Sequence, residues 1–250
     1  MAVRESARPS IFWIMGPVAL AFLGLSMRFR VHKVENLPQR GAFVLAPNHY
    51  SEIDPIIVGL VLWKNGRNPH FLAKASLFRV PVLGFFMRKS GQIPVERTAA
   101  SAAKAVSPFA GARALVENEH GVIVYPEGTL TRDPEMWPMR GKTGAARIAL
   151  EQGIPVIPLA TWGIQSLMGR YAKKINLFRV NRMDFLFGEP VDLSEFRGRP
   201  IDQDVLNSAT EKIMQSITGL LEELRGEKAP AERWDPAAKG QRETGRDFES

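Results

Sequence analysis

Between residues 30 and 187 the chain alternates short apolar, strand-like runs with stretches of helical periodicity. Strands are expected over Arg30–Val34, Ala42–Ala46, His70–Ala73, Ile93–Val95, Val122–Tyr125, Val156–Leu159 and Phe185–Phe187. Helices are expected over Pro55–Trp63, Val80–Lys89, Pro108–Glu117, Thr143–Glu151 and Ile201–Arg225. Strands and helices interleaved at this spacing call for an α/β fold, a mostly parallel or mixed sheet with helices packed on it. With 250 residues and 45% apolar side chains, one such domain has enough material for a core. Ser107-Pro108 reads as an N-cap followed by proline at the first helical position. On the last helix Val205, Ala209, Ile213, Ile217, Leu220, Leu221 and Leu224 fall on one face.

The two ends differ from this pattern. Ser10 to Met27 carries no charge over 18 residues, and Arg28, Arg30 and Lys33 follow at once. As a helix it would be roughly 27 Å long, slightly short of a ~30 Å hydrocarbon core. A terminal apolar run with a cationic collar is expected to attach to a membrane, with Gly16-Pro17 kinking it. After Gly226 the chain is mostly Lys, Glu, Asp, Arg, Pro, Gly and Ala. Such a composition cannot bury enough apolar surface to offset chain entropy, and disorder is expected. The expected division is therefore 1–28 as a membrane-associated segment, 29–225 as the α/β domain and 226–250 as a disordered tail.

The composition also bounds the chemistry. With no cysteine there is no disulfide, thiol nucleophile or cysteine-ligated zinc. A formal net charge of +7 favours anionic partners. No nucleic-acid motif and no interleaved basic and aromatic run is present, so nucleic acid ranks last among them. Gly141-Lys142-Thr143 suggests a phosphate loop, but the glycine required five positions earlier is Met136. His32, His70 and His120 lie beside basic, proline or glycine neighbours and read as surface residues.

The reactive stretch is Asn48-His49-Tyr50-Ser51-Glu52-Ile53-Asp54, between the strand Ala42–Ala46 and the helix that begins near Pro55. In an open α/β sheet the turn after a strand's carboxyl end is where ligands bind. A neutral imidazole suits proton abstraction near pH 7, and a carboxylate on its other nitrogen fixes the tautomer. His49 is the candidate general base and Asp54 the residue that orients it. With no nucleophile beside them, the simplest nucleophile is a substrate hydroxyl. Asp54-Pro55 is also an ordinary helix cap, and a carboxylate has oxygens for both roles. The same pair acting on water would make an ester hydrolase, and a basic surface without catalysis would make a binding module.

Three further stretches follow in order: Gly91-Gln-Ile-Pro-Val-Glu-Arg97, Val122-Ile-Val-Tyr-Pro-Glu-Gly-Thr129 and Gly153-Ile-Pro-Val-Ile-Pro-Leu159. Together with Asn48–Asp54 they resemble the four sequence blocks of the glycerophospholipid acyltransferases, closest to the lysophosphatidic acid acyltransferases. The resemblance spans residues 29 to about 225. It implies that His49 deprotonates a glycerol hydroxyl, which attacks an acyl thioester. It implies that Arg97 and Lys74 bind the acceptor's phosphate, and that Glu127, Gly128 and Thr129 belong to the acceptor site. Leu130 stands where the resemblance expects arginine, and Arg132, two residues on, is the candidate substitute. That departure leaves glycerol 3-phosphate, another lysophospholipid or a glycolipid open as the acceptor. The donor implied is acyl-CoA or acyl carrier protein, with no metal or organic cofactor. The setting implied is a phospholipid surface, with the active site on the cytoplasmic face of the cell membrane. Leu77–Lys89, large apolar residues mixed with cations, reads equally as a second membrane contact, part of an acyl groove, or a core helix with basic ends.

Overall fold

The computed structural model describes residues 5–7, 10–23, 26–95, 108–172 and 174–241. In chain order the described strands are β1 (Met27–His32), β2 (Phe43–Pro47), β3 (Leu72–Lys74), β4 (Ile93–Val95), β5 (Gly121–Ile123), β6 (Val156–Trp162) and β7 (Asn181–Phe187). The described helices are α1 (Phe12–Leu23), α2 (Asp54–Lys64), α3 (Pro81–Lys89), α4 (Pro108–Glu117), α5 (Gly144–Gln152), α6 (Ile164–Leu167) and α7 (Gln203–Arg225).

The main sheet has the order β1-β7-β6-β2-β5. β6, β2 and β5 run parallel, β7 is antiparallel to β6, and β1 is parallel to β7. The sheet is thus mixed. β3 and β4 form a parallel pair, and a parallel bridge from Phe71 to Ile123 sets it beside β5. The carboxyl ends of β2, β3, β4 and β5 therefore lie on one edge.

Every residue of β2 is buried, as expected of a parallel strand covered on both faces. Phe43 and Leu45 pack with Ile57, Val58, Val61 and Leu62 of α2. Val44 and Ala46 face the other core, with Ala145 and Ala149 of α5 and Val205, Ala209, Ile213 and Ile217 of α7. Pro158 interrupts β6 without cost to the ladder. Its carbonyl accepts from Gly188 N at 2.9 Å, so its missing N–H faces that same side, just beyond the β6–β7 pairing that starts at Leu159–Phe187. At α7, Asp202 caps the first turn by accepting from Val205 N at 2.9 Å, and Gly226 ends the helix at φ 67°.

Three expectations need correction. The apolar N-terminal run does not form one long helix: α1 stops at Leu23 and β1 begins at Met27. Pairing with β7 claims the last residues of the run, because Met27↔Asn181 and Arg28↔Arg182 open that ladder. At 12 residues α1 is about 18 Å long. No helix among the described residues is long and apolar enough to cross a membrane. α1 also packs on α2, where Gly16 brings its backbone against the Trp63 ring; a Cβ there would lie 2.8 Å from it. The stretch after Gly226 is held against the domain as far as residue 241. Arg140 N–H donates to Trp234 O at 2.9 Å, Trp234 Nε1–H donates to Gln241 Oε1 at 3.1 Å, and Ala229 packs on the core. A few apolar anchors suffice where α7 already offers a surface; residues 242–250 lie outside the described part. Finally, His70 is buried rather than superficial, at 6% exposure.

Candidate active site

β2 delivers its carboxyl end into the turn that carries His49, and α2 leaves that turn at Asp54. Asp54 is fully buried, and its Oδ2 collects three donors: His49 Nδ1 at 2.8 Å, Tyr50 N at 2.6 Å and Ser51 N at 2.8 Å. The carboxylate thus turns back onto the preceding loop rather than capping the helix it begins, and α2 has no side-chain cap. With Nδ1–H committed to Asp54, the lone pair of the neutral ring sits on Nε2. The imidazole stacks on Tyr125, with centroids 4.1 Å apart, and its side chain keeps 15% exposure.

The backbone of His49 is held from β5's side of the sheet. Glu127, four residues past β5, accepts from His49 N with Oε1 and from Met139 N with Oε2, both at 3.0 Å. It is fully buried. Both oxygens thus bond the chain's own backbone, and the residue clamps the turn that bears His49. Burial pushes its carboxyl up to about 8, against the pull of the Met139 and His49 N–H groups. A carboxyl raised from 4.5 to about 8 binds a proton more tightly in the folded state than in the unfolded one. Its contribution to stability is full below pH 4.5 and is lost as the pH rises to about 8. Glu127→Gln is expected to remove that slope from a plot of melting temperature against pH. A wild-type slope retained by the variant would show that another group causes it.

Thr131 N donates to His49 O at 2.8 Å, and Thr131 Oγ1 donates to Trp137 O at 2.6 Å. The guanidinium of Arg225, at the end of α7, lies over Trp137 at 3.8 Å and over Trp162 at 4.5 Å. Asn48 ties the turn to β6, donating to Thr161 O at 3.0 Å while its Oδ1 accepts from Thr161 N at 2.7 Å. Sequence reasoning gave Asn48, Tyr125, Thr131 and Arg225 no part in the site. Asn48 and Tyr125 stand inside the quoted blocks, which was the available signal. Arg225 had none, because only folding brings the end of α7 to this loop.

The other expected site residues divide by exposure. Gly128 is half-buried and needs its glycine: φ is +69°, and a Cβ would lie 3.0 Å from Lys142 Cδ. Thr129, Leu130 and Arg132 are buried at 8%, 4% and 7% exposure. Arg132 nonetheless adjoins Thr131, the residue bonded to His49. Lys74 is exposed at the end of β3, in register with Val95 of β4. Arg97 follows two residues later; it and Ser107 lie outside the described residues. The arrangement supplies an oriented, accessible base at the sheet edge where β3 and β5 also end.

The acyltransferase family model matches residues 28–162, from β1 to the last residue of β6. The 1-acyl-sn-glycerol-3-phosphate acyltransferase of Bacillus subtilis is 31% identical over 198 residues, which cover 78% of this chain and 90% of that protein. The enzyme of the same name from Streptococcus pneumoniae is 22% identical over 234 residues, 92% of this chain and 81% of its own. The crystal structure of the 1-acyl-sn-glycerophosphate (LPA) acyltransferase from Thermotoga maritima aligns with a TM-score of 0.60 and 23% identity, over 86% of this chain and 78% of that one. At that identity the likeness speaks for the fold. The family match across the four motif blocks and the Bacillus relative together show that this chain belongs to the acyltransferase family and is an O-acyltransferase.

Proposed function

We propose that this enzyme moves a fatty acyl group from a thioester, acyl-CoA or acyl carrier protein, to the free hydroxyl of lysophosphatidic acid, forming phosphatidic acid. The observation that carries this reading is the His49–Asp54 pair, 2.8 Å apart at the carboxyl edge of the sheet, in a chain similar to enzymes named for that acceptor. His49 Nε2 takes the proton of the acceptor hydroxyl as its oxygen attacks the thioester carbonyl. The carbon–sulfur bond breaks, and the departing thiolate takes the proton from the imidazolium. Asp54 holds the ring and stabilises its charge.

Lys74 and Arg97 are proposed to hold the acceptor's phosphate. Lys74 stands exposed at the end of β3, and ammonium and guanidinium donors suit a phosphate monoester. Arg132 is proposed as a further cation behind Thr131.

The enzyme is proposed to work at the cytoplasmic face of the cell membrane, where thioester donors meet lipid acceptors. α1 exposes Trp13, Ile14 and Val18, and α3 exposes Val82, Leu83 and Phe85. Exposed Arg28, Arg30, Arg79, Arg88 and Lys89 suit anionic headgroups.

Thiol release from acyl-CoA tests the reading, and a protein without cysteine adds no background. Release is expected to require lysophosphatidic acid. Release with no acceptor would overturn transfer in favour of hydrolysis. Turnover only with glycerol 3-phosphate, another lysophospholipid or a glycolipid would overturn the acceptor and point to buried Leu130.

A further inference from the structure

We propose that Glu5, His70 and His120 form a structural site for a divalent transition metal of the zinc type, fastening the N-terminal segment to the α/β domain. One ligand atom from each residue lies within 4.8 Å of the other two. Glu5 sits in a single turn ahead of α1, His70 leads into β3 and His120 leads into β5. Two imidazoles and a carboxylate are a donor set suited to zinc, with a fourth position left for solvent.

The hydrogen bonding suits a bound cation. His70 Nδ1 lies 3.3 Å from Gly91 O, an acceptor, so that nitrogen carries the proton. Nε2 is then left with a lone pair. It is buried, makes no hydrogen bond, and faces Glu5 Oε1 at 3.8 Å. Two acceptors facing each other in a buried site call for a positive ion between them. His120 Nδ1 reaches the same Oε1 at 2.5 Å, and the two imidazole centroids are 4.7 Å apart.

Outer contacts orient the ligands, as metal sites require. Arg67 Nε donates to Glu5 Oε2 at 2.6 Å, which turns Oε1 toward the two imidazoles. Its other donors go to the carbonyls of Pro38, Gly41 and Glu119. Gly91, at φ +69°, admits the His70 ring; a Cβ there would lie 3.1 Å from Nδ1. The segment so fastened leads directly into α1.

The full-length protein, prepared without a histidine tag and stripped with a chelator, would be titrated with Zn²⁺ against a chromophoric competitor. Its melting temperature would be followed in parallel. One equivalent per chain and a raised melting temperature are expected. His120→Ala and Glu5→Gln should each weaken binding by at least about 100-fold, since losing an outer-shell partner alone costs ~10–100-fold. His32→Ala should change nothing, because His32 pairs with Asp184 on the exposed rim of β1 and β7. Neither test residue belongs to the buried core of the sheet, so both variants should fold, with circular dichroism as the check. Absence of stoichiometric binding, or wild-type affinity in both variants, would overturn the site. Acyl transfer does not enter the readout, so the outcome is independent of the proposed acceptor.

Discussion

His49→Ala should lower acyl transfer by about 10²- to 10⁴-fold while leaving the fold in place. The imidazole is the group proposed to take the acceptor's proton, and no other histidine stands at this edge of the sheet among the described residues. The backbone contacts of position 49 survive the change. Its N–H still donates to Glu127 and its carbonyl still accepts from Thr131. The ring it loses is partly open to solvent, so the melting temperature should move little. Lysophosphatidic acid-dependent thiol release, measured beside a melting curve, checks both halves. A folded variant that keeps more than about a tenth of wild-type activity would remove His49 from the mechanism.

Asp54→Asn should cost nearly as much activity, about 10³- to 10⁴-fold, with a smaller structural penalty than Asp54→Ala. The amide oxygen can still accept from Tyr50 N and Ser51 N, so the turn has a means of closing. It carries no charge to stabilise the imidazolium and no longer dictates the tautomer. Alanine would instead orphan two buried backbone donors, each costing about 1–3 kcal/mol. The pair separates catalysis from folding: asparagine should lose turnover at a near-native melting temperature, and alanine should lose both. Equal loss of stability in the two variants, or an active asparagine variant, would mean that the carboxylate serves the loop alone.

Local chemistry accounts for most of what was legible without the fold. Ile93–Val95 and Pro108–Glu117 were read with the bounds the structure has, because apolar β-branched runs and a proline-led helix signal themselves. The pairing of His49 with Asp54 was legible too, since five residues in one turn leave few ways to place them. The mixed sheet was expected, but the order β1-β7-β6-β2-β5 was not legible, because strand neighbours are chosen by packing across the chain.

Other features hidden in the sequence have the same origin. The apolar run carries no local mark that its last residue, Met27, opens the strand paired with β7. The two backbone donors that Glu127 collects, from His49 and Met139, have no signal in its own motif. Glu5, His70 and His120 are up to 115 residues apart and gave no joint signal. Neighbours in the chain set the element types, the His49–Asp54 turn and the family blocks. Burial and long-range contact decided the support of His49 by Glu127 and Thr131, the placing of Arg225 over Trp137 and Trp162, and the meeting of Glu5 with two histidines. Those depend on which surfaces exclude water together, and that exists only once the chain has folded.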